Sequence, residues 1–326
     1  MKLELTQDSR AARLLESLDA KYFQFADDLP PPFRDIALME STIVGQPIDE
    51  PFQGPSKLNP LIACTPWLFW ETYCELDDET FLYIAEAGAF ISLASVLMDH
   101  LVDGQAEQPE AMALFQRAVY DHGIAGFRVM FPKTSTFWRD FERLSREYLT
   151  ALGAEIDAQS NPERFTQQVF FASAAGKVCP IAITIAALSE ASGQPSILEP
   201  IEISFRHSFI AGQIHDDVLD WRSDFENRHL TFFLTRLAPP ETWLAAEWLS
   251  VDELEAINDT NWVDVNYFDL VIDHFDRCIK DVEGIQCAGW IKYLVEYRGV
   301  AEEHQKAAVA RHLLRVLGPV IRPPSD

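Results

Sequence analysis

The chain has 326 residues, 48% of them apolar and 24% charged, with only 14 glycines; this is the composition of a packed globule, not of a disordered or fibrous chain. Asp and Glu outnumber Lys and Arg by 51 to 26, and the resulting net charge of −25 disfavours nucleic acid and anionic membrane surfaces as partners. The five cysteines, Cys64, Cys74, Cys179, Cys278 and Cys287, are odd in number and include no CxxC pair, which predicts reduced core thiols in a cytoplasmic protein.

Taken in chain order, the first 23 residues "MKLELTQDSRAARLLESLDAKYF" are charged throughout, so no export signal is expected. Apolar residues then recur at three and four. The pattern predicts helices over Ala11–Phe25, Phe81–Val102, Ala111–Met130, Trp138–Leu152, Phe165–Leu188, Ile203–Asp220, Trp262–Val282 and Trp290–Leu317. Segments alternating with period two are missing, so the class is all-α, about nine to twelve helices packed as one antiparallel bundle domain over residues 1–326. The punctuation agrees: "DLPPP" at 28–32 and the prolines at 51, 55 and 60 break the chain, and Ser250 with Glu253 forms a capping box. The apolar runs "AGAFISLASVLM" and "IAITIAAL" fall short of the roughly 18 residues needed to cross a bilayer and read as buried helix.

Charge is placed unusually in three of these helices. In "FIAGQIHDDVLDWRSDFENRHLTFF", Asp216, Asp220 and Asp224 are offset by only about 40° per step on a helix, so their carboxylates form one stripe with Asp217 beside it. Either this is a solvated helix end or it needs a cation, because like charges four residues apart repel. A second apolar helix ends in "MDHLVDG", where Asp99 and Asp103 repeat the spacing. Facing each other across a bundle, the two sets would offer oxygen ligands from both sides. Lys177 is the lone charge from Phe170 to Leu188; it either snorkels or meets an anion. Three residues on, Pro180 removes the donor for the Gly176 carbonyl and should break the helix. Carboxylates that share Mg²⁺ with a substrate's phosphates, plus nearby basic groups, suit a diphosphate ester.

"GQIHDDVLDWRSD" resembles the second aspartate-rich motif of the class I isoprenoid synthases, with Gln213, Asp216, Asp217 and Asp220 on its positions; Asp216, Asp220 and Asp224 also fit the metal-binding triad of terpene synthases. "MDHLVD" resembles the first motif, with His100 in place of its second aspartate, and "GKVCP" is similar to the family's Lys-Thr before a broken helix. The ordered set spans about residues 80 to 235, and Tyr297 with Arg298 lies where terpene synthases often carry an Arg-Tyr pair. The resemblance implies three Mg²⁺ ions on Asp99, Asp103, Asp216, Asp217, Asp220 and Asp224, with Lys177, Arg222, Arg228 and Arg298 holding the diphosphate. It implies an allylic isoprenyl diphosphate as substrate, no membrane span, and leaves a homodimer open.

Two departures bear on the reaction. The early Gly-Lys-x-x-Arg of chain-elongating synthases is reduced to Lys57 in "PSKLNP", and "DGQAEQPEAM" has no arginine pair after the first motif. A site for a second, homoallylic diphosphate is therefore in doubt, and the expected activity is a prenyltransferase-like terpene synthase that ionises and cyclises one substrate. Chain elongation is the alternative. A di-iron carboxylate bundle is weaker, since only "ENRH" (Glu226, His229) supplies a Glu-x-x-His. Trp67, Phe69, Trp70, Phe90 and Phe171 are as well placed for plain core packing as for lining a carbocation pocket, and His100 and His215 have ordinary hydrogen-bonded readings beside metal-site ones.

Overall fold

The computed structural model describes residues 9–39, 51–238, 242 and 249–321, with side chains to 315. Among them the only extended pairing is an isolated bridge between Met39 and Pro51, so the chain is all-α, as its periodicity predicts. The principal helices are α1 (Ser9–Asp28), α2 (Asp78–Val102), α3 (Pro109–Met130), α4 (Phe137–Ser160), α5 (Gln167–Lys177), α6 (Cys179–Ala191), α7 (Leu198–Glu226), α8 (Val251–Asn261), α9 (Val263–Asp281) and α10 (Ala288–Ile321). They gather into two compact units. The first holds the described residues up to Glu147 with Cys179–Glu202 and Gly284–Trp290, and the second holds Tyr148–Val178, Ile203–Glu283 and the chain from Ile291.

In the first unit α2 is the central post. Asp77 caps it by accepting the Thr80 amide at 2.9 Å, and Phe81, Ile84, Phe90, Leu93 and Leu97 are all buried. Two close approaches explain its small residues. A side chain at Gly88 would meet Thr184 of α6, and one at Gly123 of α3 would meet the Ala87 carbonyl at 2.9 Å, so these helices pack backbone to backbone. At 25 residues, α2 is long and apolar enough to cross a membrane by length and composition, contrary to the short run seen in the sequence. Yet 72% of its apolar window is buried, as in a core helix. Trp67, Phe69 and Phe90 are buried in this unit. Trp67 donates its indole N–H to the Ala11 carbonyl at 2.9 Å, Phe69 stacks on Trp290, and Trp70 packs edge-on against Phe81. These aromatics are core.

The second unit is built on α7, which runs from residue 198 to 226 and so extends the expected helix at both ends. The periodic segment Phe165–Leu188 forms two helices, α5 and α6, interrupted at Val178, as expected of Pro180, which lacks the N–H that would have continued the ladder. The capping box at α8 is present, with Ser250 accepting the Glu253 amide and Glu253 accepting the Ser250 amide. Trp262, at φ 53°, then turns the chain directly into α9. His312 of α10 is buried beneath Trp262 and lies between Asp259 (3.2 Å) and Asp264 (2.7 Å), which ties α8, α9 and α10 together. All five cysteines are free thiols and four of them are buried.

Candidate active site

α7 carries Asp216, Asp220 and Asp224 on successive turns of an unbroken helix, so the stripe exists. Asp224 is half-buried, whereas the Asp216 side chain keeps 68% of its exposure. The carboxyls of both are pushed up to about 6. Burial is the main cause for each; repulsion from Asp220 and Asp224 adds to it at Asp216, and at Asp224 repulsion from Asp220 is opposed by His229. Asp216 is thus open to solvent and shares its stripe with like charges.

Asp217 behaves differently. It lies about 100° around the helix from Asp216, and burial raises its carboxyl well above the usual range. It accepts the Phe232 amide at 2.9 Å. With Glu155, Gln159, Ser173, Gln213 and His229 it lines a small cavity of about 40 Å³.

The basic residues nearby are already engaged. Lys177, at the end of α5, keeps 10% of its side-chain exposure and pairs with Glu155 of α4 at 2.7 Å; it meets an anion supplied by the protein itself. Arg222 donates to Glu255 at 2.9 Å and stacks over Trp221. It lines a separate cavity of about 200 Å³ with Arg311 and Arg315, about 120° round α7 from Asp216 on the side away from Asp217. Arg298 is held by Asp276 and Glu302, each at 2.6 Å, and Tyr297 packs on Tyr293. His215 shares a 2.9 Å hydrogen bond with His304 and stacks on it. Burial and the neighbouring His304 push its imidazole down to about 4, so at neutral pH it brings no positive charge to Asp216. Phe171 packs on Phe232 and His274. Among the described residues no three His, Cys, Asp or Glu side chains converge closely enough to hold an ion alone.

No family model matches the sequence, and no curated protein matches it. Its structure is similar to a polyprenyl synthetase from Streptomyces coelicolor A3(2), at 15% identity, TM-score 0.63, covering 87% of this chain and 99% of that one. It is similar to a geranylgeranyl pyrophosphate synthetase from the archaeon Geoglobus acetivorans, at 16% identity and TM-score 0.65, over 90% and 98% of the two chains. A geranylgeranyl pyrophosphate synthase from Lactobacillus brevis ATCC 367 is matched at 14% identity and TM-score 0.67, over 92% and 99%.

The fold is that of the class I isoprenoid synthases. At such identities the likeness speaks for the architecture alone. Within the isoprenoid synthase fold, the second unit brings together Asp216, Asp217, Asp220 and Asp224, while Asp99 and Asp103 sit at the end of α2 in the first unit, Asp103 as its exposed C-cap. Arg228 follows α7 at φ 58°. Sequence reasoning missed Glu155 and Gln159. Their signal was legible: both fall at i+4 steps from buried Ala151 on α4, and a glutamate on a buried helix face calls for a cation such as Lys177.

Proposed function

We propose that this chain is a Mg²⁺-dependent enzyme acting on an allylic isoprenyl diphosphate, and that its reaction is transfer to a second prenyl diphosphate in chain elongation. The observation that carries the reading is the stripe of Asp216, Asp220 and Asp224, two of whose carboxyls are pushed up to about 6 by burial first and by repulsion from their stripe neighbours second, on a fold shared with polyprenyl and geranylgeranyl diphosphate synthases. Carboxylates so crowded fit a hard cation that shares its remaining ligands with phosphate oxygens. Asp216, Asp220 and Asp224 would hold Mg²⁺, and Asp99 and Asp103 are added as ligands on their motif alone. Bound there, the metal would neutralise charge on the departing diphosphate. Lys177 would reach a diphosphate only by sharing its ammonium with Glu155, and Arg222 and Arg298 only by leaving their carboxylate partners; Arg228 completes the set. We also propose that the two units work as one catalytic domain.

One observation favours a second reading, cyclisation of a single substrate. Lys57 ends a short 3₁₀ turn at Pro55–Lys57 without a nearby arginine in sequence, and no arginine pair follows Asp103, so the diphosphate of a second substrate has few visible partners. Incubation with geranyl, farnesyl and geranylgeranyl diphosphate and Mg²⁺, with and without isopentenyl diphosphate, separates the two. A longer prenyl diphosphate formed only with isopentenyl diphosphate supports transfer; hydrocarbon or alcohol formed without it supports cyclisation. If no allylic diphosphate is consumed in any arm, both readings fail.

A further inference from the structure

The chain that leaves α7 is bound back at three points, two on α7 itself and one on α4. The His229 amide donates to the Asp224 carbonyl at 2.8 Å. Leu230 is gripped on both sides by Gln159 of α4, whose side-chain oxygen accepts the Leu230 amide at 3.0 Å and whose nitrogen donates to the Leu230 carbonyl at 2.8 Å. Phe232 donates its amide to Asp217 at 2.9 Å, and its carbonyl accepts the Tyr267 hydroxyl at 3.1 Å. The distances are consistent with a segment lying flush on the helix. Asp217 and Asp224 are two turns apart, about 10.5 Å along α7, and three extended residues from His229 to Phe232 cover about 10 Å. The return segment therefore runs antiparallel to the end of α7, along the flank of the carboxylate stripe, and sets His229 where it acts on Asp224.

We propose that Asp217 and Gln159 are positioning residues that clasp the 229–232 segment to α7 and α4. The Asp217 carboxylate is half-buried at the edge of the stripe beside Asp224, and its Oδ2 accepts the amide of Phe232 at 2.9 Å. Removing its acceptor oxygens would release the segment that walls the stripe. Two adjacent aspartates thus divide the work: Asp216 faces the substrate side and Asp217 holds the wall.

The proposal rests on the reading of the stripe as a metal–diphosphate site, and its test separates the two. Asp217→Asn, Asp217→Ala, Gln159→Ala and Asp216→Asn are made in the full chain. Hydrogen exchange of the Leu230 and Phe232 amides is followed without ligand, and binding of inorganic diphosphate with Mg²⁺ is followed by calorimetry. Asp217→Ala and Gln159→Ala should speed exchange by about tenfold or more, as loss of one or two buried hydrogen bonds requires, and should weaken diphosphate. Asp217→Asn keeps an acceptor oxygen and should restore both to within about threefold of the parent, while Asp216→Asn loses diphosphate at least about tenfold with exchange unchanged. Asp217→Asn losing diphosphate as fully as Asp216→Asn would overturn the proposal, as would unchanged exchange in Gln159→Ala, the variant that stands in should Asp217→Ala not fold. If the parent binds no diphosphate, the functional reading fails and the exchange rates alone decide the clasp.

Discussion

Asp224→Asn should make the metal-free protein more stable while removing its activity. The Asp224 carboxyl is half-buried, titrates near 6 in the fold, and would titrate near 4 in the unfolded chain. Above both values the ionised group opposes folding by roughly 3 kcal/mol, since each tenfold shift in proton affinity is worth about 1.4 kcal/mol. The sign follows from the raised value. The penalty is complete above about pH 6, shrinks as pH falls toward 4, and vanishes where the group is protonated in both states. Asparagine is neutral throughout and loses less hydration on burial than a carboxylate. It also removes a charge that raises Asp216 and Asp217. A net gain of roughly 1–3 kcal/mol at pH 7.5 in EDTA is expected, falling toward zero at pH 4.5. Urea unfolding of both proteins at the two pH values measures it. An Asp224→Asn protein no more stable than its parent at pH 7.5, or more stable by the same margin at both pH values, refutes the claim that uncompensated charge strains this site.

Three further outcomes are expected from particular contacts. Lys177→Met should destabilise the fold by about 3–5 kcal/mol, because it removes the ammonium that Glu155 pairs with at 2.7 Å; Lys177→Met with Glu155→Leu should recover most of that loss in urea titrations, and a double variant as weak as the single one would contradict the pairing. Gly88→Ala should lower stability by about 1–3 kcal/mol, since its methyl meets the Thr184 side chain, with partial recovery by Thr184→Ala in thermal melts. Ser250→Ala removes the cap of α8 and should cost about 1 kcal/mol, read in the same melts; an unchanged midpoint would show that α8 is held by packing alone.

Much of this architecture follows from local pattern. The i,i+4 spacing of Asp216, Asp220 and Asp224 suffices to place them in one stripe, and the position of Pro180 suffices to break the helix after Lys177, because both effects act within a turn or two. The same local logic could have separated Arg222 from the stripe, since it sits about 120° from Asp216 on the flank opposite Asp217. Residues whose roles depend on distant partners were not legible. Lys177 read as a cation awaiting an external anion until Glu155, 22 residues earlier, was seen beside it. Asp216 and Asp217 are identical in sequence terms, and only the return of Phe232 onto α7 tells them apart. The aromatics took the core-packing role: Trp67, Phe69 and Phe90 are what any core needs, though residue type alone cannot distinguish a packed ring from one that lines a cavity.

The electrostatics of the second unit point outward for the missing charge. Lys177 neutralises Glu155, Arg222 neutralises Glu255, and Arg298 is divided between Asp276 and Glu302. His215 is turned to His304 and kept neutral. Among the described residues, the charges acting on Asp216 are those of Asp220 and Asp224, and the cation-forming group acting on Asp224 is His229. Lys177, Arg222 and Arg298 thus each face a carboxylate off the stripe, while the repulsion of Asp216 by Asp220 and Asp224 costs stability in the isolated fold. Such a cost is retained where an external cation removes it. Because Mg²⁺ keeps open positions for phosphate oxygens, the proposed function requires that a cation relieving the stripe would also bring a diphosphate to it, so ligand and metal should bind together far more tightly than either alone.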